Sequence, residues 1–283
     1  MKKLLILTDF SAIASHAAGY GYELAIQLKA DVILCNAAII AADIPLAGLA
    51  AWPLEERDTY LQNSEDEINL LKAQLEQCNI NSKYRPAMNF VTDPGTLVHV
   101  LDDTLNETKV DLVVMGAHSG DHIHNFLLDN RCMNMIKTMC KPLLMIPPGA
   151  KFSATRNINF VTDTEHCIED LKFIFSIFSM AKQLDVVLSI SCMEEGGKET
   201  SSELEFRMNN ALLKLSNEGQ PFINYAVKPG GQIGNFDALY KRGETDILAV
   251  ISRPGNFFDK VLHEKGTTSP GHQLAVPLLI FKG

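Results

Sequence analysis

Short apolar runs alternate along this chain with longer segments in which apolar residues recur every three or four positions. The short runs predict strands that are buried on both faces, and the periodic segments predict amphipathic helices. The predicted strands cover residues 4–7, 32–34, 82–90, 112–115, 143–146, 159–161, 186–190, 222–227, 247–251 and 278–281. The predicted helices cover residues 16–28, 53–78, 123–139, 166–183, 199–217, 236–242 and 257–263, with one more after Pro94-Gly95. Strands that alternate with helices predict a parallel sheet between two helical layers.

The second half of the chain repeats the pattern of the first half. Asp9 and Asp163 both follow an apolar run and a threonine, and residues 30–34 match 184–188 at the same offset. Later matches share one shorter offset and pair 94–95 with 229–230, 111–114 with 246–249, and 142–144 with 277–279. A fixed offset indicates a duplicated domain. We therefore predict two tandem α/β domains, residues 1–149 and 155–283, each with a mostly parallel five-stranded sheet and helices on both faces.

The change from the longer to the shorter offset means that the first half holds a surplus of residues, which lies between its second and third strands. Residues 37–54 there are rich in Ala, Ile and Leu and include Trp52, the only tryptophan. A loop that packs over its own or the neighbouring domain explains the segment, and so does a partner-binding patch. We favour the packed loop, because apolar loops usually find cover within the molecule.

The charge and the cysteines restrict the class of protein. A formal net charge of −9 argues against nonspecific binding to nucleic acid or anionic membrane, although backbone N–H groups can still hold a small anion. The apolar run before Asp9 is too short for a signal peptide, and Asp43, Pro45 and Pro53 interrupt the apolar stretch 32–54. Six cysteines without C-x-x-C spacing are typical of reduced thiols. We expect a cytoplasmic protein.

Three segments of the first half resemble the universal stress protein family, and the whole chain resembles its tandem form. They are Thr8-Asp9-Phe10-Ser11, residues 113–120 and residues 140–147. The resemblance implies binding of ATP or another adenine nucleotide. An Asp after the first strand would contact the nucleoside, and a G-x2-G-x9-G-[ST] loop after the fourth strand would hold ribose and phosphates. Glycines in such a loop let backbone N–H groups approach phosphate.

The family pattern can be carried onto both halves, with departures in each. The implied binding residues are Asp9, Gly116, His118, Gly120 and Asn130 in the first half and Asp163, Ser252, Gly255, Gly266 and Thr267 in the second. Ser119 stands where the second loop glycine is expected, and Asp129-Asn130 stand where Gly-Ser or Gly-Thr is expected. In the second half, one extra loop residue is needed to align Ser252 and Gly255. Both loops therefore look eroded.

The same resemblance implies that residues 143–146 and 278–281 pair antiparallel, giving a pseudo-dimer within one chain that could dimerise further. We assign no catalytic residue, because the first-strand turn lacks the S-G-G-x-D-S loop of the related ATP pyrophosphatases. We assign no metal ligand, because the sequence has no H-E-x-x-H pattern and no cysteine pair. One alternative is a nucleotide-free signalling or scaffolding protein of this family. A less favoured alternative is a metal-assisted hydrolase using histidines and acids of one loop, namely His118, His122 and His124 with Asp121 or Asp129.

Overall fold

The structure is a computed structural model of the 283-residue chain. It describes residues 1–38, 54–79, 82–117, 130–152, 155–163, 166, 169–194, 210, 223–229, 245–256, 258–259 and 276–283. The proposed covering segment 37–54 lies almost entirely outside these residues. Contacts divide the chain into two compact units, Lys2–Gly116 and Ala117–Gly283 with Met1. The predicted domain ranges 1–149 and 155–283 follow the sequence repeat and remain predictions.

The first unit is a parallel sheet with helical connections. Its elements are β1 (Lys3–Leu7), α1 (Ala12–Leu28), β2 (Asp31–Ala38), α2 (Leu54–Cys78), β3 (Met88–Pro94), α3 (Leu97–Glu107) and β4 (Leu112–Gly116). The strand order is β3-β2-β1-β4. Leu4, Leu5 and Ile6 in β1 are completely buried, so both faces of this central strand are covered. Helix α1 packs against β1 and β4.

The second unit repeats this order of strands. Its elements are α4 (Asn130–Thr138), β5 (Leu143–Ile146), β6 (Asn157–Asp163), α5 (Leu171–Leu184), β7 (Val187–Glu194), β8 (Ile223–Pro229), β9 (Ile247–Ser252) and β10 (Leu278–Lys282). The strand order is β5-β10-β9-β6-β7-β8. Only β5 and β10 are antiparallel among these pairs, and Leu144 stands opposite Leu279. This confirms the predicted antiparallel pairing of the two last strands.

The sequence predicted an α/β fold correctly, but the third strand lies elsewhere in the first half. It was predicted at residues 82–90 and lies at Met88–Pro94. Ser82 and Tyr84 instead form a turn, in which the Ser82 hydroxyl donates to the Tyr84 carbonyl. The predicted strand therefore began too early.

The second strands of the two halves also match differently from the prediction. Lys3 pairs with Asp31 and Asn157 pairs with Val187, so Val187 rather than Asp185 is the structural equivalent of Asp31. Lys29 and Asp185 are equivalent, because each follows its helix in the left-handed conformation. The residues by which the second half is longer here therefore lie before the end of α5.

A pair of hydrogen bonds occurs once in each unit, at positions that the repeat equates. The Asp111 carboxylate accepts hydrogen bonds from the backbone N–H groups of Lys2 and Lys3, at 2.6 and 3.2 Å. The Asp246 carboxylate accepts from the backbone N–H groups of Arg156 and Asn157, at 2.8 and 2.9 Å. Each carboxylate thus fixes the start of the first strand beside the fourth strand of its own half.

None of the helices in the described part of the chain is long and apolar enough to cross a membrane.

Candidate functional site

Each half has one place where the strand order reverses direction. In the first half, β1 lies between β2 and β4, and in the second half β6 lies between β7 and β9. The connections that follow two neighbouring strands at this point run to opposite faces of the sheet. Their separation opens a crevice at the carboxyl ends of the strands, where α/β proteins bind ligands. The residues that follow β1, β4, β6 and β9 therefore form the two candidate sites.

Asp9 is exposed at the carboxyl end of β1. The Ser11 backbone N–H donates to Asp9 Oδ1 at 3.1 Å, and the Ser11 hydroxyl accepts from the Ala14 N–H at 3.2 Å as the N-cap of α1. Phe10 between them has a φ of 61°, a conformation that costs energy for a residue with a side chain. This turn holds Asp9, an exposed residue, beside the start of α1.

Gly116 ends β4, the neighbour of β1, and so lies at the same edge of the sheet as Asp9. A Cβ atom at Gly116 would lie 2.8 Å from the backbone oxygen of Ile13 and 2.8 Å from its Cγ2 atom. Only glycine lets the first turn of α1 approach the end of β4 this closely. Gly116 therefore has a packing role in addition to the binding role that the sequence implied.

Of the other residues implied for the first-half site, the structure describes the position of Asn130. His118 and Gly120 lie outside the described residues, together with the histidines and acids of the metal hypothesis, and Asn130 is the first residue of α4. Across the described ranges, no group of three His, Cys, Asp or Glu side chains is arranged to hold a metal ion. The structure thus brings together Asp9 and Gly116 and leaves the loop between residues 117 and 130 as a prediction.

The equivalent aspartate of the second half has different surroundings. Asp163 is buried, with 3% of its surface exposed. Its Oδ1 accepts the backbone N–H of His166 at 2.8 Å and lies 2.7 Å from His166 Nδ1. Asp163 is therefore buried and bound to His166, whereas Asp9 is exposed.

An ion pair between the buried Asp170 and the partly buried Arg253 lies beside Asp163, and the sequence did not predict it. Arg253 Nη2 donates to Asp170 Oδ1 at 2.8 Å, and the Thr162 hydroxyl donates to Asp170 Oδ2 at 2.6 Å. Burial raises the pKa of Asp170 above the usual carboxyl value, although the Thr162 hydrogen bond and the Arg253 charge oppose this. The sequence signal that could have revealed this pair is Arg253 itself, because the family pattern expects glycines in the loop where it stands.

The residues after β9 also form hydrogen bonds with other residues of the second half. Gly255 has a φ of 78°, as its identity allows, but its N–H donates to Asp259 Oδ2 at 2.8 Å. The Ser252 carbonyl accepts from the Gly283 N–H at 3.0 Å. Gly266 and Thr267 lie outside the described residues. The described part of the second candidate site is thus closed by internal hydrogen bonds.

A sequence profile of the universal stress protein family matches residues 1–147. No curated protein matched the chain. A universal stress protein from Archaeoglobus fulgidus DSM 4304 has a similar structure, with 11% identity, a TM-score of 0.61, and coverage of 99% of this chain and 96% of that one. A putative universal stress protein from Pseudomonas aeruginosa UCBPP-PA14 has 13% identity, a TM-score of 0.53, and coverage of 100% and 93%.

The cytoplasmic domain of a prokaryotic cation chloride cotransporter also shares this fold, at 8% identity, a TM-score of 0.51, and coverage of 99% and 94%. At these identities the structural matches establish the fold alone, because one fold hosts several functions. The profile match extends over more than half of the chain and includes Asp9 and Gly116. The chain belongs to the universal stress protein family.

Proposed function

We propose that this chain is a cytoplasmic stress-response protein that binds ATP or another adenine nucleotide at one place, the crevice between β1 and β4. The observation that carries the proposal is the difference between the two equivalent aspartates. Asp9 is exposed at the carboxyl end of its strand, whereas Asp163 is buried and bound to His166. An exposed carboxylate can accept hydrogen bonds from the hydroxyls or the base of a nucleoside.

The first-half crevice also places a helix N-terminus close to Asp9. Because Gly116 has no side chain, the first turn of α1 packs directly against the end of β4. The family pattern implies that His118, Gly120 and Asn130, which follow in sequence, hold ribose and phosphates. Backbone N–H groups and a helix N-terminus favour phosphate despite the net negative charge of the chain.

A second candidate is a nucleotide-free signalling or scaffolding protein of the same family. The second half favours it, since Asp163 and Gly255, which the family pattern assigns to a ligand, are bound instead by His166 and Asp259. Ser119 and Asp129, which replace loop glycines of the family pattern, favour it for the first half too. In neither case do we propose an enzyme, and a further homodimer is compatible with both.

Thermal unfolding with and without millimolar Mg²⁺-ATP distinguishes the two candidates. A nucleotide that binds only the native state raises Tm by mass action, by the equivalent of about 2.7 kcal/mol at a hundredfold excess over Kd. We expect the wild-type chain to show this rise and Asp9→Asn to lose it. Asp163→Asn is the matched control: it should unfold at a lower temperature but keep the rise on adding ATP. A wild-type Tm that ignores ATP would favour the nucleotide-free candidate.

A further inference from the structure

The outer face of helix α5 carries an exposed aromatic ring between two lysines. Lys172, Phe175, Ser179 and Lys182 are spaced by three or four residues, so they share one face of the helix, and all four are exposed. Phe175 is 57% exposed. Helix α5 contains no acidic residue, whereas the whole chain has a formal net charge of −9. This face, which we name the α5 patch, is therefore a basic surface around an apolar ring.

The outer face of helix α2 has the opposite charge. Leu70 is 55% exposed, and Asp66 and Glu67, one turn before it on the same side, are exposed as well. The other side of the helix packs against β2 and β3 and buries Ile68 and Leu71. Residues 62–78 of α2 hold four acids and one lysine, which gives this stretch a net charge of −3. We name Asp66, Glu67 and Leu70 the α2 patch.

The two patches are complementary in both of the properties that they combine. Each holds one large apolar side chain that its own chain leaves exposed, and each surrounds that side chain with charges of one sign. The acids that flank α5 along the chain, Glu169 and Asp185, lie outside the helix and confine the positive charge to it. Two α5 patches would repel each other, as would two α2 patches, so each patch fits the other best.

We propose that the α5 patch of one molecule binds the α2 patch of a second copy of this chain. The contact buries Phe175 against Leu70 and brings the two lysines of the α5 patch to Asp66 and Glu67 of the other molecule. Burial of the apolar side chains supplies the attraction, and the charges select the partner surface. One helix face on each side is a small interface, so we expect reversible association.

Because the two patches differ, the contact is heterologous. Two molecules that make it twice, with α5 of each on α2 of the other, close a dimer, whereas contacts made once per pair continue into an open chain. In both arrangements the extent of association rises with protein concentration. The contact uses the outer faces of two helices, so it does not depend on the nucleotide proposed for the crevice at Asp9.

The test is the association of two charge-reversed full-length chains, alone and mixed, measured by sedimentation equilibrium. Lys172→Glu with Lys182→Glu makes the α5 patch acidic, and Asp66→Lys with Glu67→Lys makes the α2 patch basic. Each variant alone then carries two patches of like charge, so we expect its association constant to fall at least about tenfold below that of the wild-type chain. In an equal mixture, each variant meets an oppositely charged patch on the other, and association should return.

Matched controls separate the patches from net charge and from general hydrophobicity. Lys109→Glu with Lys137→Glu changes the net charge equally at exposed lysines outside both patches, and it should leave association unchanged. Phe175→Ser should weaken association, whereas Phe90→Ser, at the exposed phenylalanine of β3, should not. A wild-type chain that stays monomeric at every concentration, or a mixture no more associated than its two components, would overturn the proposal. Circular dichroism of each variant shows that the comparison is between folded chains.

Discussion

Asp9 and Asp163 show how much of a site is set by the residue itself and how much by its surroundings. Both positions were predictable, because each Asp follows Thr at the end of an apolar run. Their opposite exposure was not predictable, because Asp163 is surrounded by His166 and by the partly buried pair of Asp170 and Arg253. Arg253 stands 83 residues from Asp170, and no local pattern announces a contact over that distance.

The pH dependence of stability should report the burial of Asp170. Its pKa is raised in the folded state, so folding binds a proton more tightly there than the unfolded chain does. The stabilisation is fully present below the unfolded carboxyl pKa and is lost as pH rises through the folded value. We expect the unfolding free energy of the wild-type chain, measured in urea relative to that of Asp170→Asn, to fall as pH rises from acid to neutral.

The exposed neighbour provides the control for this measurement, because Glu169→Gln should leave the pH profile almost unchanged. A wild-type advantage that instead grew with pH would mean that attraction to Arg253 outweighs the burial of Asp170.

At the level of elements, continuous apolar runs gave the best predictions. The limits of β5 were predicted without error, and those of β1 within one residue at its start, because both strands are buried on two faces. β3 was misplaced because it is only partly covered, with Phe90 44% exposed, and so lacks a strong apolar signal. The start of α1 was also missed by four residues, since the helix begins at Ala12 with Ser11 as its N-cap.

Two glycines in α1 offer a matched test of its packing. A Cβ at Gly19 would meet nothing within 4 Å, so Gly19→Ala should raise the free energy of unfolding by roughly 0.5–1 kcal/mol through helix propensity. At Gly21 a Cβ would lie 2.9 Å from the buried Ile6 Cδ1 and 3.3 Å from Val114 Cγ1. Gly21→Ala should therefore be less stable than Gly19→Ala by about 1 kcal/mol or more.

Urea unfolding measures both differences. Equal stabilisation by the two substitutions would show that α1 can move away from the sheet without cost.

For the whole molecule, the repeat predicted the topology of both halves because equivalent contacts recur. The carboxylates of Asp111 and Asp246 bind two successive backbone N–H groups in the same manner. The repeat could not predict the ligand sites in the same way, because side chains at the carboxyl ends of the strands differ between the halves. We therefore expect stability to depend on the repeated contacts, and binding to depend on residues that differ between the halves.

The repeated carboxylates should contribute similarly to stability. Asp111→Ala and Asp246→Ala each remove the acceptor for two backbone N–H groups, so we expect each to lower the free energy of unfolding by about 2–4 kcal/mol. Asp102→Ala, at an exposed position of α3, should change it by less than about 0.5 kcal/mol. Chemical denaturation followed by circular dichroism would measure all three, and a large loss at only one of Asp111 and Asp246 would argue against equivalent roles.

The antiparallel contact between β5 and β10 also affects how the chain is made. Leu144 and Leu279 face each other across this contact, yet close to half of the sequence separates them. A ribosome therefore releases β5 long before its partner strand exists. During that interval the nascent chain presents an apolar strand with unpaired N–H and C=O groups, which can recruit a chaperone or the same strand of a neighbouring nascent chain. Slow translation between the two strands would prolong this exposure and favour exchange of β10 between molecules.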